Sequence, residues 1–224
     1  MQNIIFKIIK RFPPEIAHNI TLKLLQLDLR QKKNLDDPIL YQHIFGYDFS
    51  NPIGMAAGFD KNVEVVSPLL NLGFGFVEAG TVTPKPQYGN DKPRIFRLSE
   101  DSSIINHLGF NNKGAEYAEK KLKKLNLNSL SKGIVGINIG KNKDSLNYID
   151  DYIYCLEKLG PLAHYVTINI SSPNTPGLRD IQNRGQIEKL VQALKNKKNK
   201  LSALESIPIF FKISPDLTEE QIRD

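Results

Sequence analysis

The sequence predicts an α/β protein, an incomplete (β/α)8 TIM barrel with about five of its eight strands present, preceded by a helical extension. Three observations predict it. Five short apolar runs alternate with stretches of helical periodicity, the pattern of a parallel sheet flanked by helices. A polar residue falls within or just past the C-terminal end of each run: Lys61, Thr81, Asn138, Asn169 and Lys212. In a barrel all such ends open into one mouth, whereas an open doubly wound sheet collects them only at its switch point. Five polar ends out of five favour the barrel. A complete barrel needs eight units in about 250 residues, so the chain is expected to stop early.

The 224 residues are 40% hydrophobic, enough for a globular chain with a sizeable core. The single cysteine, Cys155, excludes an internal disulfide and a multi-cysteine metal site and suits a reducing compartment. It lies in a helical pattern, as a small core residue. The net charge of +6 is unevenly placed: residues 1–33 hold seven basic residues against two acidic ones, +5 of the total. The basicity belongs to one segment.

That segment, residues 1–36, is set apart from the barrel of residues 37–224. Ile4, Ile5, Phe6, Ile8 and Ile9 make a short apolar patch, and Pro13-Pro14 ends one helix and can start another. In the second helix Ile16, Ile20, Leu24 and Leu27 recur at helical spacing, with Ala17, Leu25 and Leu29 widening the face. No run reaches the roughly 18 apolar residues of a membrane span, and the early patch lacks the cleavage site of a signal peptide. Two basic amphipathic helices fit a segment lying on an anionic membrane surface. They also fit a helical pair docked on its own domain with a solvated Lys/Arg face, and the residues by themselves lean to that reading.

The barrel elements follow in order. Residues 52–57 form the first apolar run and lead into Gly58-Phe59-Asp60-Lys61. A helix with Val63, Val66 and Leu70 on one face stops at Gly73. Residues 75–79 form the second strand, ending at Gly80-Thr81. Residues 83–114 are too long for a plain βα loop, and their two strand-like pieces, 94–98 and 103–108, read as a hairpin turned at Glu100-Asp101. Ala115, Ala118, Leu122 and Leu125 give a helix, and 133–139 the third strand, leading into Gly140-Lys141-Asn142. Ile149, Ile153, Leu156 and Leu159 give the next helix, stopped by Gly160-Pro161. Residues 165–170 form the fourth strand, Ile187, Leu190, Val191 and Leu194 a helix, and 207–213 the fifth strand. Residues 217–224 begin a sixth helical stretch. The Lys/Asn run at 195–200 has no interleaved aromatics and reads as a solvated helix end, so no nucleic-acid partner is expected.

Competing motifs fail on spacing. Gly73-Phe74-Gly75 lacks the third glycine of a dinucleotide fingerprint, and Gly136 to Lys141 is one residue short of a phosphate loop. His18, His43, His107 and His164 are scattered, so no metal site is expected. The loop at residues 169–179, Asn-Ile-Ser-Ser-Pro-Asn-Thr-Pro-Gly-Leu-Arg, is different in kind. Two prolines fix φ and Gly177 permits φ > 0, so polar side chains at the end of a buried strand are held in one shape. Taken alone it reads equally as an Asx/Ser turn.

Together with Ala57-Gly58-Phe59-Asp60-Lys61, Gly80-Thr81-Val82-Thr83-Pro84 and Gly136-Ile-Asn138-Ile-Gly140-Lys141-Asn142, this loop resembles dihydroorotate dehydrogenase in order and spacing, from about Pro13 to the last residue. The resemblance implies an FMN-dependent barrel that oxidises dihydroorotate to orotate in de novo pyrimidine synthesis. The basic N-terminal segment and serine at position 172 both point to the class 2 enzymes, which pass electrons to a quinone. The expected location is peripheral, on the cytoplasmic face of the inner membrane.

Carried over residue by residue, the resemblance makes Ser172 the base that removes the C5 proton. Lys61 would meet the substrate carboxylate, as a point cation suits, and Asn106, Asn169 and Asn174 would hold the pyrimidine amides with their paired donors and acceptors. The strap His107-Leu108-Gly109-Phe110 would lie over the substrate; the family usually has arginine where His107 stands. Ala57, Gly58, Phe59, Asp60, Lys61, Thr81, Asn138, Asn169 and Lys212 would bind the cofactor, and His18 and Arg97 would lie on the quinone side. A serine hydroxyl is a poor base by itself, so the proton must pass onward. The alternatives are a non-catalytic remnant, a fragment completed by another chain, or a different FMN barrel oxidoreductase.

Overall fold

The computed structural model describes residues 8–27, 37–127 and 133–223. The early apolar patch therefore falls largely outside the described residues, as does Leu29. Helix α1 spans Pro14–Gln26, with proline in its first turn. A small antiparallel hairpin follows, β1 (Gln42–Ile44) and β2 (Tyr47–Phe49). Next come β3 (Gly54–Met55), helix α2 (Val66–Asn71) and β4 (Phe76–Val82). A second antiparallel hairpin joins β5 (Ile95–Leu98) to β6 (Ser103–Asn106). The remainder alternates: α3 (Ala115–Leu125), β7 (Ile134–Ile139), α4 (Tyr148–Leu159), β8 (Tyr165–Asn169), α5 (Arg184–Lys200), β9 (Ile209–Lys212) and α6 (Glu219–Arg223).

Five strands form one parallel sheet in the order β3-β4-β7-β8-β9. Spatial order follows chain order, so there is no switch point, and the winding is that of a barrel wall rather than a doubly wound sheet. The outward face of the wall, Val77, Ala79, Val135, Ile137, Ile139, Val166 and Ile168, is buried against the helices. Leu122 of α3, Tyr152, Leu156 and Leu159 of α4, and Leu190 and Leu194 of α5 complete that core, and Cys155 is fully buried within it. The long apolar runs seen in the sequence are the signature of strands covered on both faces.

The inward face is unusual in carrying polar groups and rings. Gly136 and Gly54 make this possible: a Cβ at Gly136 would stand 2.1 Å from the Tyr165 ring, and one at Gly54 2.2 Å from the Phe76 ring. The β1–β2 hairpin closes the same end from below, with Phe45 packed edge-on against Phe210 and Phe49 against Phe76. This hairpin has no clear signal in the sequence, because its three-residue strands are exposed or half-buried and show no apolar run.

Two elements differ from their expected bounds for identifiable reasons. The first helix of the barrel begins at Val66, not Val63, because the Asp60 carboxylate accepts the N–H groups of Asn62, Glu64 and Val65 and holds a turn there, with Val63 at φ 60°. On α1 docking falls on the widened side of the predicted face, at Ala17 and Leu25, rather than on its central stripe. Ile16, Leu24 and Leu27 are exposed, while Ala17 is buried and Leu22 and Leu25 pack on the core.

Candidate active site

The C-terminal ends of the strands are tied together by one chain of hydrogen bonds. Thr81 Oγ1 at the end of β4 donates to Asn138 Oδ1 on β7 at 2.6 Å. Asn169 Nδ2 on β8 donates to both Thr81 Oγ1 (3.0 Å) and Asn138 Oδ1 (3.1 Å). Asn169 Oδ1 in turn accepts from Ser171 N and Ser171 Oγ, and Lys212 Nζ at the end of β9 donates to Ser171 Oγ at 2.8 Å. Parallel registers place these residues side by side, with Asn138 opposite Thr167 and Asn169 opposite Lys212. Thr81, Asn138, Asn169 and Ser171 are all buried, so each needs the partners it has.

A residue missed in the sequence anchors the ladder from below. Glu78 of β4 accepts from Asn138 Nδ2 at 2.8 Å, Thr167 Oγ1 at 2.9 Å and Tyr165 OH at 3.2 Å. The available signal was a lone carboxylate inside an otherwise apolar strand. It fixes which way the Asn138 amide points, leaving Oδ1 for Thr81 and Asn169.

The Ser172 loop leaves β8 under constraint. Tyr152 OH donates to Asn169 O at 2.8 Å, and Arg179 Nε returns to Ser171 O at 3.1 Å while its Nη2 pairs with Asp216 at 3.0 Å. Asn174 N donates to Ser172 Oγ at 3.2 Å, and Asn174 Nδ2 reaches across to Asn106 O at 3.3 Å. Thr175 Oγ1 is buried and has no hydrogen-bond partner. That leaves a second hydroxyl, three residues beyond Ser172, whose role the sequence did not suggest.

Lys61 stands apart from the ladder. Its ammonium makes no hydrogen bond or ion pair among the described residues. Burial pushes its pKa down to about 8, with the Arg94 charge acting the same way and the carboxylates of Glu15 and Asp60 opposing. A half-buried, unpartnered cation is suited to an anionic ligand. It lines a cavity of about 790 Å³ together with Gly58, Asn106 and Leu108, and with His18 and Arg97 from the opposite side. The His18 ring meets Phe59 edge-on at 5.1 Å, and burial, helped by the Lys61 charge, lowers its pKa to about 4, so it is neutral at pH 7. Arg97 Nη1 donates to Lys10 O and Phe12 O, fastening the β5–β6 hairpin to the chain ahead of α1.

The sequence-predicted residues thus fall into two groups, the ladder of Thr81, Asn138, Asn169 and Lys212 and the cavity of Gly58, Lys61, Asn106, His18 and Arg97. Asn174 joins them. Ala57 lines a separate apolar cavity of about 610 Å³ inside the barrel wall, as does Lys212. Three residues point elsewhere. The Asp60 carboxylate is committed to its own turn, His107 stacks on Phe96 with ring centroids 5.7 Å apart, and Phe59, although it lines the Lys61 cavity, turns its ring to His18. Among the described residues no group of three His, Cys, Asp or Glu is placed to hold a metal, and no helix is long and apolar enough to cross a membrane.

Fold and site together define an incomplete parallel α/β barrel of the TIM type, five strands among the described residues, with polar side chains gathered at the C-terminal strand ends. Residues 39–224 match the dihydroorotate dehydrogenase family. The chain belongs to that family. It is 50% identical over 214 residues to a dihydroorotate dehydrogenase (quinone) of Rhizobium rhizogenes, covering 94% of this chain and 58% of that protein. A protein of the same name from Rhodopseudomonas palustris is 44% identical over 218 residues, covering 97% and 59%. Among solved structures, a DHODH of Eimeria tenella in complex with ferulenol superposes with a TM-score of 0.87 at 41% identity, over 94% of this chain and 61% of that one. The chain thus spans less than two thirds of the length of these relatives.

Proposed function

We propose that this chain carries the catalytic strand ends of a quinone-dependent dihydroorotate dehydrogenase: FMN on the ladder, dihydroorotate between Lys61 and the Ser172 loop, and a quinone beneath α1. The observation that carries this is the ladder itself, which gathers the ends of four strands, β4, β7, β8 and β9, into one hydrogen-bonded mouth beside an unpartnered Lys61.

The residues fit a flavin. Ala57 and Lys212 line an apolar cavity of about 610 Å³, and Gly58, at φ +107°, has no atom within 4 Å of where a Cβ would stand. Thr81, Asn138 and Asn169, joined to Lys212 through the ladder, would supply polar partners to the ring. When bound, FMN supplies the acceptor for the hydride leaving C6 of dihydroorotate. Lys212 would place a cation where the reduced ring carries negative charge. Lys61 would bind the substrate carboxylate, and Asn106, Asn169 and Asn174 the ring amides. Ser172 Oγ would take the C5 proton while passing its own hydroxyl proton onward; the Asn174 N–H donates to one Oγ lone pair and fixes the position of the oxygen.

Membrane contact is supported by the exposed Ile16 and Leu24 of α1, by Leu27 at its C-terminal end, and by the exposed Lys10, Arg11 and Lys23 of the same segment. The protein would then sit at the periphery of the inner membrane, on its cytoplasmic face, as the resemblance to the quinone-dependent class implies. The quinone would take the His18 end of the cavity that Lys61 lines at its other end, between α1 and the β5–β6 hairpin, where the neutral imidazole places no charge.

A second reading has its own support. The outer edges of β3 and β9 are unpaired among the described residues, and the cavity between them is lined by Phe45, Phe49, Phe76 and Phe210. In that reading turnover requires further barrel strands supplied from outside these 224 residues. Purified chain supplied with FMN, dihydroorotate and a soluble quinone near neutral pH tests the first reading. Turnover that Ser172→Ala abolishes supports it; flavin-loaded protein that leaves dihydroorotate unoxidised rejects it for this chain, and equal turnover in the variant rejects the base.

A further inference from the structure

The segment between β4 and β5 contains a buried ion pair that the proposed chemistry does not use. Arg94 is 3% exposed, and its guanidinium makes four hydrogen bonds. Nε and Nη2 form a fork on Glu15 of α1, at 3.2 and 2.7 Å. Nη1 donates to Tyr88 O at 2.6 Å and to Asn90 O at 2.8 Å. One side chain therefore fixes the N-terminal helix and the loop at 88–90 at once, in the planar bidentate manner that arginine alone provides. Burial tends to raise the Glu15 carboxyl pKa, but the hydrogen bond and charge of Arg94 outweigh it and hold it below the usual range.

Asn90 carries the connection onward. Its Nδ2 donates to His107 O at 2.9 Å and to Asn174 O at 3.3 Å, and its backbone N donates to Leu108 O at 3.1 Å. The strap at 106–110 and the Ser172 loop are thereby held by the same amide. The fit is close on both sides: a Cβ on Gly109 would stand 2.8 Å from Asn90 Cγ, and one on Gly89 2.2 Å from Leu108 O. The strap is also tied back to Arg94 itself, whose carbonyl accepts from His107 N at 3.0 Å.

We propose that Glu15, Arg94 and Asn90 act as a positioning relay, through which docking of α1 holds the substrate strap closed on the Ser172 loop. A helix on the quinone side is thus mechanically joined to the two segments that would grip the pyrimidine. The ligand part of this inference rests on the dihydroorotate reading above; the mechanical part does not.

Two substitutions in the full chain separate the links. Glu15→Gln removes the charge facing Arg94, and Asn90→Asp replaces both Nδ2 donors with oxygens facing two carbonyls. Amide exchange is followed at residues 106–110 and, as an internal reference, at 134–139. Orotate and FMN affinities are measured on the same proteins. Both variants are expected to speed exchange at 106–110 at least tenfold with 134–139 unchanged, and to weaken orotate binding about tenfold with FMN affinity unchanged. Unchanged exchange at 106–110 in Glu15→Gln overturns the relay. If that variant loses protection throughout, Asn90→Asp decides, since it leaves the helix contact intact: a strap as protected as in the parent chain overturns the proposal. Failure of the parent chain to bind orotate rejects the dihydroorotate reading, while the exchange comparison still decides the relay.

Discussion

Asn138 and Glu78 stand on neighbouring strands with Asn138 Nδ2 donating to Glu78 Oε1 at 2.8 Å, so the orientation of one amide at the barrel mouth is set by a carboxylate one layer below. The rest of the ladder follows from that choice. With Nδ2 spent on Glu78, Oδ1 is left to accept from Thr81 and Asn169.

Glu78→Gln is the direct probe of this dependence. A glutamine keeps one acceptor but turns an NH2 toward groups that are themselves donors. Leaving buried donors unsatisfied costs about 1–3 kcal/mol, and the variant is expected to lose that much stability in urea unfolding. An unchanged midpoint would mean that the amide is oriented from elsewhere.

Lys61 gives a pH signature. Its pKa in the fold, about 8, lies below that of a free lysine. Between about 8 and the ordinary lysine value the unfolded chain holds the extra proton, so this group makes stability rise with pH across that window. Below it both states are charged and the burial cost is fully present. An anion that binds only the charged form should lose affinity about tenfold per pH unit above 8. Orotate titrations from pH 7 to 9.5 check this; Lys61→Met should bind weakly and without the slope. A parent chain with flat affinity would remove Lys61 from the carboxylate site.

The N-terminal segment predicts a partition result. Basic residues near an anionic surface contribute about 1 kcal/mol each, and the exposed Ile16, Leu24 and Leu27 add apolar area. Deleting residues 1–34 should release the protein from anionic vesicles in a flotation assay, and raising salt should weaken binding of the parent chain. Retention of the shortened chain would make α1 only a cap on the barrel.

Much of this was legible in the sequence. The βα alternation and the polar strand ends give the barrel, because the strand faces packed on the helices must be apolar and polar residues collect toward the C-terminal ends. Ala115 to Leu125 forms the helix that periodicity predicts. What escaped the reading depends on register or on distant partners. Glu78 faces inward only once β4 is paired with β7, and Arg94 has meaning only when α1 brings Glu15 to it from 79 positions away. Of the residues that dock α1, Ala17 and Leu25 belong to the apolar face read from the sequence and only Leu22 escaped it, because apolar residues run most of the way round this helix. Asn142, conspicuous in its glycine-flanked loop, is a staple: its side chain holds Thr83, Lys85 and Gln87.

The central claim is that the ladder of Thr81, Asn138, Asn169 and Lys212 is a flavin site. The most direct measurement is a titration of the purified chain with FMN, followed by flavin absorbance and fluorescence, beside Lys212→Met and Asn138→Leu. The account predicts one flavin per chain, with binding at least tenfold weaker in both variants while the fold is retained by circular dichroism. Absence of binding by the parent chain, or binding that neither substitution disturbs, would contradict it.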